Sequence, residues 1–364
     1  MSNSILKDFH RVAGARIAAV NGVALVTNYG DAPAEYHALR QTAGVLDLSA
    51  RGRLCLLGTD RERLLNGQVT NDVKSLRPGQ GCYAALVTAK GKVESDLNIH
   101  RLDDEFLLDF EPGYTAAVTA RLERYLIADD VQVVDAAPHF GLLSVQGPRA
   151  REVVSRLDRT VALPAKPWHW VVTTDSPAGR VYVMNQPRLG TEGFDLFVPT
   201  GALAAVAERL TANLGSIDGR WVGWDALEWA RIAVGIPRFG QDFDATNLAP
   251  EAGLETRAIS YTKGCYIGQE VIARLRTYGQ VAKALRGLRF LAAAAKLPDP
   301  GSRLLQGDRD VGYLTSITRL PGDLTPVALG YVRRECNARG SRLTVASPTG
   351  AMEVEIVTTP FAPG

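Results

Sequence analysis

The chain is poor in cysteine, with four among 364 residues, and Cys55, Cys82, Cys265 and Cys336 lie far apart. No CxxC pair occurs, and no spacing suits a structural zinc. The scatter disfavours an iron–sulfur cluster held within this chain alone, because such ligation calls on several thiolates at once, and leaves open one labile cluster bridged between subunits by Cys265. No apolar run reaches membrane-spanning length without a charge or polar residue. The first residues, Met1 to Lys7, lack the basic-then-apolar pattern of a secretory signal. Neither sign of charge dominates: 41 Lys and Arg face 39 Asp and Glu, a formal charge of +2. That balance gives no general electrostatic case for nucleic acid, although a local basic patch remains open. Neither a glycine-rich dinucleotide fingerprint nor a GxxxxGK[ST] phosphate loop is found. These absences lead to the expectation of a soluble cytoplasmic protein with reduced thiols.

What is present is a chain that is 46% hydrophobic, enough for sizeable cores in two or more domains. Residues 5–28 read as a helix followed by an extended stretch. A helix is expected over 35–41, strands over 45–49 and 53–58, and a helix from 60 to 65. Strands at 84–88 and 95–102 flank a hairpin-like connection at 89–92. Residues 112–128 read as a helix, and 142–148 as a strand breaking into a helix start at Pro148. Segments 168–174, 180–184 and 194–198 are extended, and 202–214 and 223–234 are helical. After Ala284 six short strands separated by Gly and Pro predict a small β-barrel or sandwich. The fold class is α+β. The division expected is 1–283, with a split near 140, followed by 284–364.

One run stands out: Lys263-Gly264-Cys265-Tyr266-Ile267-Gly268-Gln269-Glu270. A cysteine can act as nucleophile, metal ligand or redox thiol, and beside Lys263 and a backbone-freeing glycine Cys265 is a candidate nucleophile or redox thiol. A buried cysteine in a tight turn is the plainer alternative. Gln269 and Glu270 suit a helix start, where a carboxylate meets the positive helix end. The basic row Arg274, Arg276, Lys283 and Arg286 either meets an anionic tail, such as a polyglutamate or an RNA backbone, or is solvated.

Other candidates are acids and their neighbours. Asp96 opens an alternating strand, where a carboxylate binds an amine, relays a proton, or caps its own turn. Asn71 and Asp72 invite the same readings. Glu192 lies among glycines before an apolar strand, and a carboxylate there suits a ligand edge with two adjacent N–H donors. Arg231 sits in an apolar helix, where a guanidinium must snorkel or be paired, with Glu192 or a ligand as candidate partners.

With these residues quoted, the chain resembles the folate-dependent aminomethyltransferase superfamily, the T-protein of glycine cleavage and its relatives. Within it, the chain is similar to the YgfZ-type folate-binding proteins of iron–sulfur cluster assembly or repair and tRNA modification. The resemblance rests on segments 43–49, 70–73, 91–97, 190–198 and 231–240, and above all on 263–270. It implies two related α/β subdomains around a central folate channel plus a C-terminal β-barrel. It also implies tetrahydrofolate as cofactor, with Glu192 on the pterin edge, Arg231 following it, and Tyr83 and Asn71 at the cleft. Asp96 and Cys265 are then the residues for chemistry. Iron–sulfur proteins or their assembly factors are the implied partners. T-proteins carry two adjacent aspartates where this chain has Ser95-Asp96, Arg-Leu-Glu-Ala-Gly where it has Arg231 to Gly235, and no cysteine at 265. These departures favour folate binding in support of iron–sulfur enzymes. Aminomethyl transfer or demethylation, from a small amine or a lipoyl-linked donor, is the alternative.

Overall fold

The computed structural model describes residues 6–173, 179–346 and 350–361, with the side chain of Tyr278 left aside. The sequence readings at Ile5 and Thr174 lie outside these residues. Packing divides the chain into two compact units. The first takes residues 1–84 and 96–228, and the second takes 85–95 and 229–364.

The first unit begins with α1 (Lys7–Val12), then a hairpin of β1 (Arg16–Val20) and β2 (Val23–Asn28). The extended stretch expected after the helix is this hairpin, and the expected helix is short. Gly14 turns out of it at φ +74, and Asn21-Gly22 forms a two-residue turn with both φ positive. Val20 therefore pairs directly with Val23, which is the geometry that Asn-Gly favours between strands. The helix α2 (Ala32–Gln41) starts where Asp31 accepts from the Ala34 N–H at 3.0 Å, a carboxylate cap on an otherwise orphaned donor.

Two sheets follow. One joins β3 (Gly44–Asp47) to β9 (Phe140–Gln146), β10 (Trp170–Thr173), β11 (Val181–Asn185), β12 (Gly193–Pro199) and the short β13 (Arg220–Trp221). Its order is β10-β11-β12-β9-β3-β13. The other joins β4 (Gly52–Leu57) to β5 (Gln80–Val87), β6 (Val93–Arg101), β7 (Phe106–Phe110) and β8 (Gln132–Asp135), in the order β5-β6-β7-β4-β8. Both β7 and β8 escape the sequence reading. The helix expected over 112–128 is only α4 (Thr115–Glu123), confined between them. The other helices are α3 (Arg61–Gln68), α5 (Ala150–Ser155), α6 (Leu203–Gly215) and α7 (Trp224–Val234), the last running on into the second unit. Val145, Phe194, Leu196, Val206 and Leu210 are fully or almost fully buried in one core.

In the second unit α8 (Glu255–Ala258) and α9 (Gln269–Tyr278) precede a closed barrel. Its strands are β14 (Lys283–Phe290), β15 (Arg303–Gln306), β16 (Arg309–Thr318), β17 (Val327–Arg333), β18 (Arg342–Val345) and β19 (Met352–Val357), the six anticipated. Closure satisfies every strand edge and buries Leu288, Leu304, Val332, Val345 and Val354 inside. The α+β class with a C-terminal barrel is therefore the observed one. No helix among the described residues is long and apolar enough to cross a membrane.

Candidate active site

The first unit holds a buried polar network that its strands build directly. On β7 the sequence Phe-Leu-Leu-Asp-Phe places Asp109 in the interior, with no measurable exposure. Arg51, just before β4, donates to Asp109 through Nε at 2.7 Å and also bonds Glu111. Arg188 donates from Nη2 to Asp109 at 2.8 Å and from Nε to Asp195 on β12 at 3.0 Å. Asn98 on β6 donates to Asp109 at 2.9 Å, and its own oxygen accepts from Gln186 at 2.9 Å and Trp168 at 3.2 Å. Buried charges are tolerable only when paired and hydrogen-bonded in this way.

These charges set each other's protonation. Burial opposes ionisation of Asp109, but Arg51 and Arg188 outweigh it and hold the carboxyl well below the usual carboxylate range. Burial pushes Asp195 upward, against the pull of Arg188. His100, also on β6, is depressed to about 4 by burial, so it is neutral near pH 7. Neither its Nδ1 nor the Gln186 Oε1 has a hydrogen-bond partner, and both are buried.

Asp96 stands beside this network. The Tyr83 hydroxyl donates to its Oδ2 at 2.8 Å. Asn71 Nδ2 donates to the Tyr83 carbonyl at 2.8 Å, fixing the strand that carries the phenol. Burial, and then the Glu111 carboxylate, push Asp96 up to about 6, against the lowering effects of Tyr83 and Arg51. A carboxyl with that value exchanges protons near neutral pH, as acid–base catalysis requires.

The structure thus brings Tyr83, Asp96 and Asn71 together. Glu192 and Arg231 are held by different partners. Glu192 accepts from Arg151 at 2.6 Å and keeps its side chain about 30% exposed. Three residues on, Asp195 is the acid that the strand turns inward. Arg231 is buried, donating to Asp242 at 2.6 Å, to Ser316 at 2.9 Å and to the Ile236 carbonyl at 3.2 Å. The expected pairing of Arg231 with Glu192 is therefore corrected: each has its own oppositely charged partner. Asp242 also accepts from Thr315 and Ser316, so this guanidinium anchors residues 231–242 to β16.

Cys265 is an exposed free thiol. The Lys263 ammonium sits 5.0 Å from the centre of the Tyr266 ring. Gly268 has φ +83, and a Cβ there would lie 2.4 Å from the Thr88 carbonyl oxygen. Only glycine allows the chain to turn into α9 this close to the 88–92 hairpin loop. No His, Cys, Asp and Glu cluster suited to a metal is found among the described residues.

Sequence reasoning missed Arg51, Asn98, Asp109, Glu111, Arg188 and Asp195. A signal existed for two of them: Asp109 and Asp195 are single acids inside apolar strands, the pattern that demands a buried partner.

Residues 6–263 match the model of the GCVT N-terminal domain, and 283–362 match the glycine cleavage T-protein C-terminal barrel domain. A putative chloroplastic transferase of Arabidopsis thaliana is 30% identical over 315 residues, 86% of this chain and 70% of that protein. An aminomethyltransferase of Mycobacterium leprae is 28% identical over 359 residues, 98% and 95% of the two chains. The crystal structure of the glycine cleavage system aminomethyltransferase T from Bartonella henselae superposes with a TM-score of 0.86 at 23% identity. That match covers 99% of this chain and 97% of the other, a likeness of fold.

Proposed function

The chain belongs to the glycine cleavage T-protein family, and from that membership we propose that it binds tetrahydrofolate and transfers a one-carbon unit between an amine donor and the folate. The observation that carries this reading is Asp96, a carboxyl poised at about 6 and held by Tyr83. Tetrahydrofolate, when bound, supplies the amine nitrogen that exchanges the carbon. Its pterin edge offers N–H donors, and the unpartnered Gln186 Oε1 is an acceptor suited to such an edge. With a lipoyl-linked donor, two folate nitrogens would bond the carbon while its bonds to nitrogen and sulfur break, and the two N–H protons would leave with ammonia and the thiol; Asp96 would accept one of these protons when ionised and return it to the leaving nitrogen from its acid form. Tyr83 keeps the carboxyl aimed, and burial together with Glu111 keeps its pKa high enough for the return step. The donor is a small amine or a lipoyl-linked aminomethyl group.

Titration of the purified chain with tetrahydrofolate tests the first part, and absence of saturable binding refutes it. Formation of methylenetetrahydrofolate from an aminomethyl donor, or of methyltetrahydrofolate from a methylated amine, tests the second, with Asp96→Asn expected to abolish turnover while retaining binding. A second reading is support of iron–sulfur cluster assembly or repair, and through it tRNA modification, as in YgfZ-type relatives. It draws on the exposed Cys265 within the 263–270 run. Complementation of a deletion strain separates the two. The cysteine reading requires Cys265→Ser to fail in restoring iron–sulfur enzyme activity, and the transfer reading requires Asp96→Asn to fail.

A further inference from the structure

The second unit carries a groove that the folate reading does not use. It encloses about 340 Å³ and is lined by Arg276 at the end of α9, Arg286 on β14 and Arg334 just beyond β17. Tyr261, Leu275 and Val281 contribute its less polar wall. Glu255 is the one acid among the lining residues, and it accepts a 2.6 Å hydrogen bond from the Tyr261 hydroxyl. Three arginines and a single, already engaged carboxylate thus line the groove.

The arginines are held in place without acids. Arg286 is half-buried, and its guanidinium donates to the carbonyls of Asn337 at 3.2 Å and Leu285 at 3.0 Å. Burial lowers its pKa, the mark of a positive charge that lacks a counter-charge. Arg276 lies over the Tyr261 ring, 3.8 Å from its centre, so its plane is fixed by stacking. Arg334 is exposed. None of the three forms an ion pair among the described residues. Most surface arginines find an acid or stay mobile, whereas two of these are pinned and unneutralised. Planar guanidiniums arranged in this way match the oxygens of phosphate, which they bind by paired N–H donors.

We propose that this groove is a binding site for a phosphorylated small molecule, its phosphate or pyrophosphate group held by Arg276, Arg286 and Arg334 and its organic part lying against Tyr261 and Leu275. The proposal is independent of folate binding.

Isothermal titration of the full chain with pyrophosphate at low ionic strength tests it, with a γ-linked triglutamate as the carboxylate comparison. One-to-one saturable binding of pyrophosphate is expected, at least about tenfold tighter than that of the triglutamate. Arg286→Gln and Arg334→Gln are each expected to weaken it by about tenfold, the value of one charge-assisted hydrogen bond. Arg334 is exposed, so its variant reads binding without disturbing folding, and tetrahydrofolate titration serves as a control for the integrity of Arg286→Gln. Unsaturable binding, binding unchanged in both variants, or preference for the triglutamate overturns the proposal.

Discussion

Replacing Asp96 by Asn removes a group that the folded chain holds in an unfavourable ionisation state, and the consequence for stability has a definite sign. An aspartate in an unfolded chain titrates near 3.9, whereas folded Asp96 is pushed up to about 6 by burial and by Glu111. The folded state thus binds the proton more tightly than the unfolded state. Stability is greatest in acid, falls as pH rises through the interval from the lower value to the upper, and stays reduced above it. Two units correspond to about 3 kcal/mol, and partial exposure of the side chain reduces this to about 2 kcal/mol through solvent screening. Asn preserves an oxygen for the Tyr83 hydroxyl and does not titrate. Near about pH 8 the Asp96→Asn protein is therefore expected to melt several degrees above the parent, at roughly 2 °C or more per kcal/mol. Near about pH 2 the difference should vanish, because Asp96 is then protonated in both the folded and the unfolded chain. Differential scanning calorimetry of both proteins across that range makes the comparison, and other titrating groups cancel in the difference. A variant less stable at about pH 8, or a gain equal at both ends, refutes the assignment of a raised pKa.

Asp109→Asn should cost about 3–5 kcal/mol at neutral pH, because Arg51 and Arg188 lose their shared counter-charge. Its pKa is depressed, so the contribution is present above the unfolded value and fades as pH falls below it; parent and variant should converge in strong acid, as read by thermal unfolding. Arg231→Met strands the buried Asp242 and should likewise cost about 3–5 kcal/mol, seen as a lower unfolding temperature. Gly268→Ala adds a Cβ at φ +83 against the Thr88 carbonyl and should cost more than about 1 kcal/mol by calorimetry. Cys265→Ser changes an exposed side chain and should leave the unfolding temperature within about 0.5 kcal/mol of the parent.

The barrel was legible because its strands are short and punctuated by Gly and Pro, so period and breaker agree. Asp96 was legible because its strand alternates and its neighbours carry a family pattern. The strand β7 was not, since four apolar residues around one acid carry no period. Its acid, Asp109, is the centre of the network for that very reason. A fully buried strand turns both faces inward and loses the alternation that a half-exposed strand keeps. The choice of Glu192 over Asp195 as the notable acid has a similar origin. Flanking glycines draw the eye to the exposed loop, while β12 puts the buried carboxylate three positions later. Arg231 was correctly expected to need a partner, but Asp242 lies beyond a loop whose course no local pattern gives.

The hairpin formed by the ends of β5 and β6 has a temporal meaning. Residues 85–95 pack with the unit whose remainder begins at Trp229, while the chain on either side of them belongs to the other unit. On a ribosome this segment emerges early and then waits. At about 5–20 residues per second the delay before its packing partners arrive is on the order of ten seconds. Asp96 is the residue at which the chain returns to the first unit. The tip of this hairpin therefore reaches its final packing only once residues from Trp229 onward have been made, whereas Asp96 belongs to a unit whose residues all precede them.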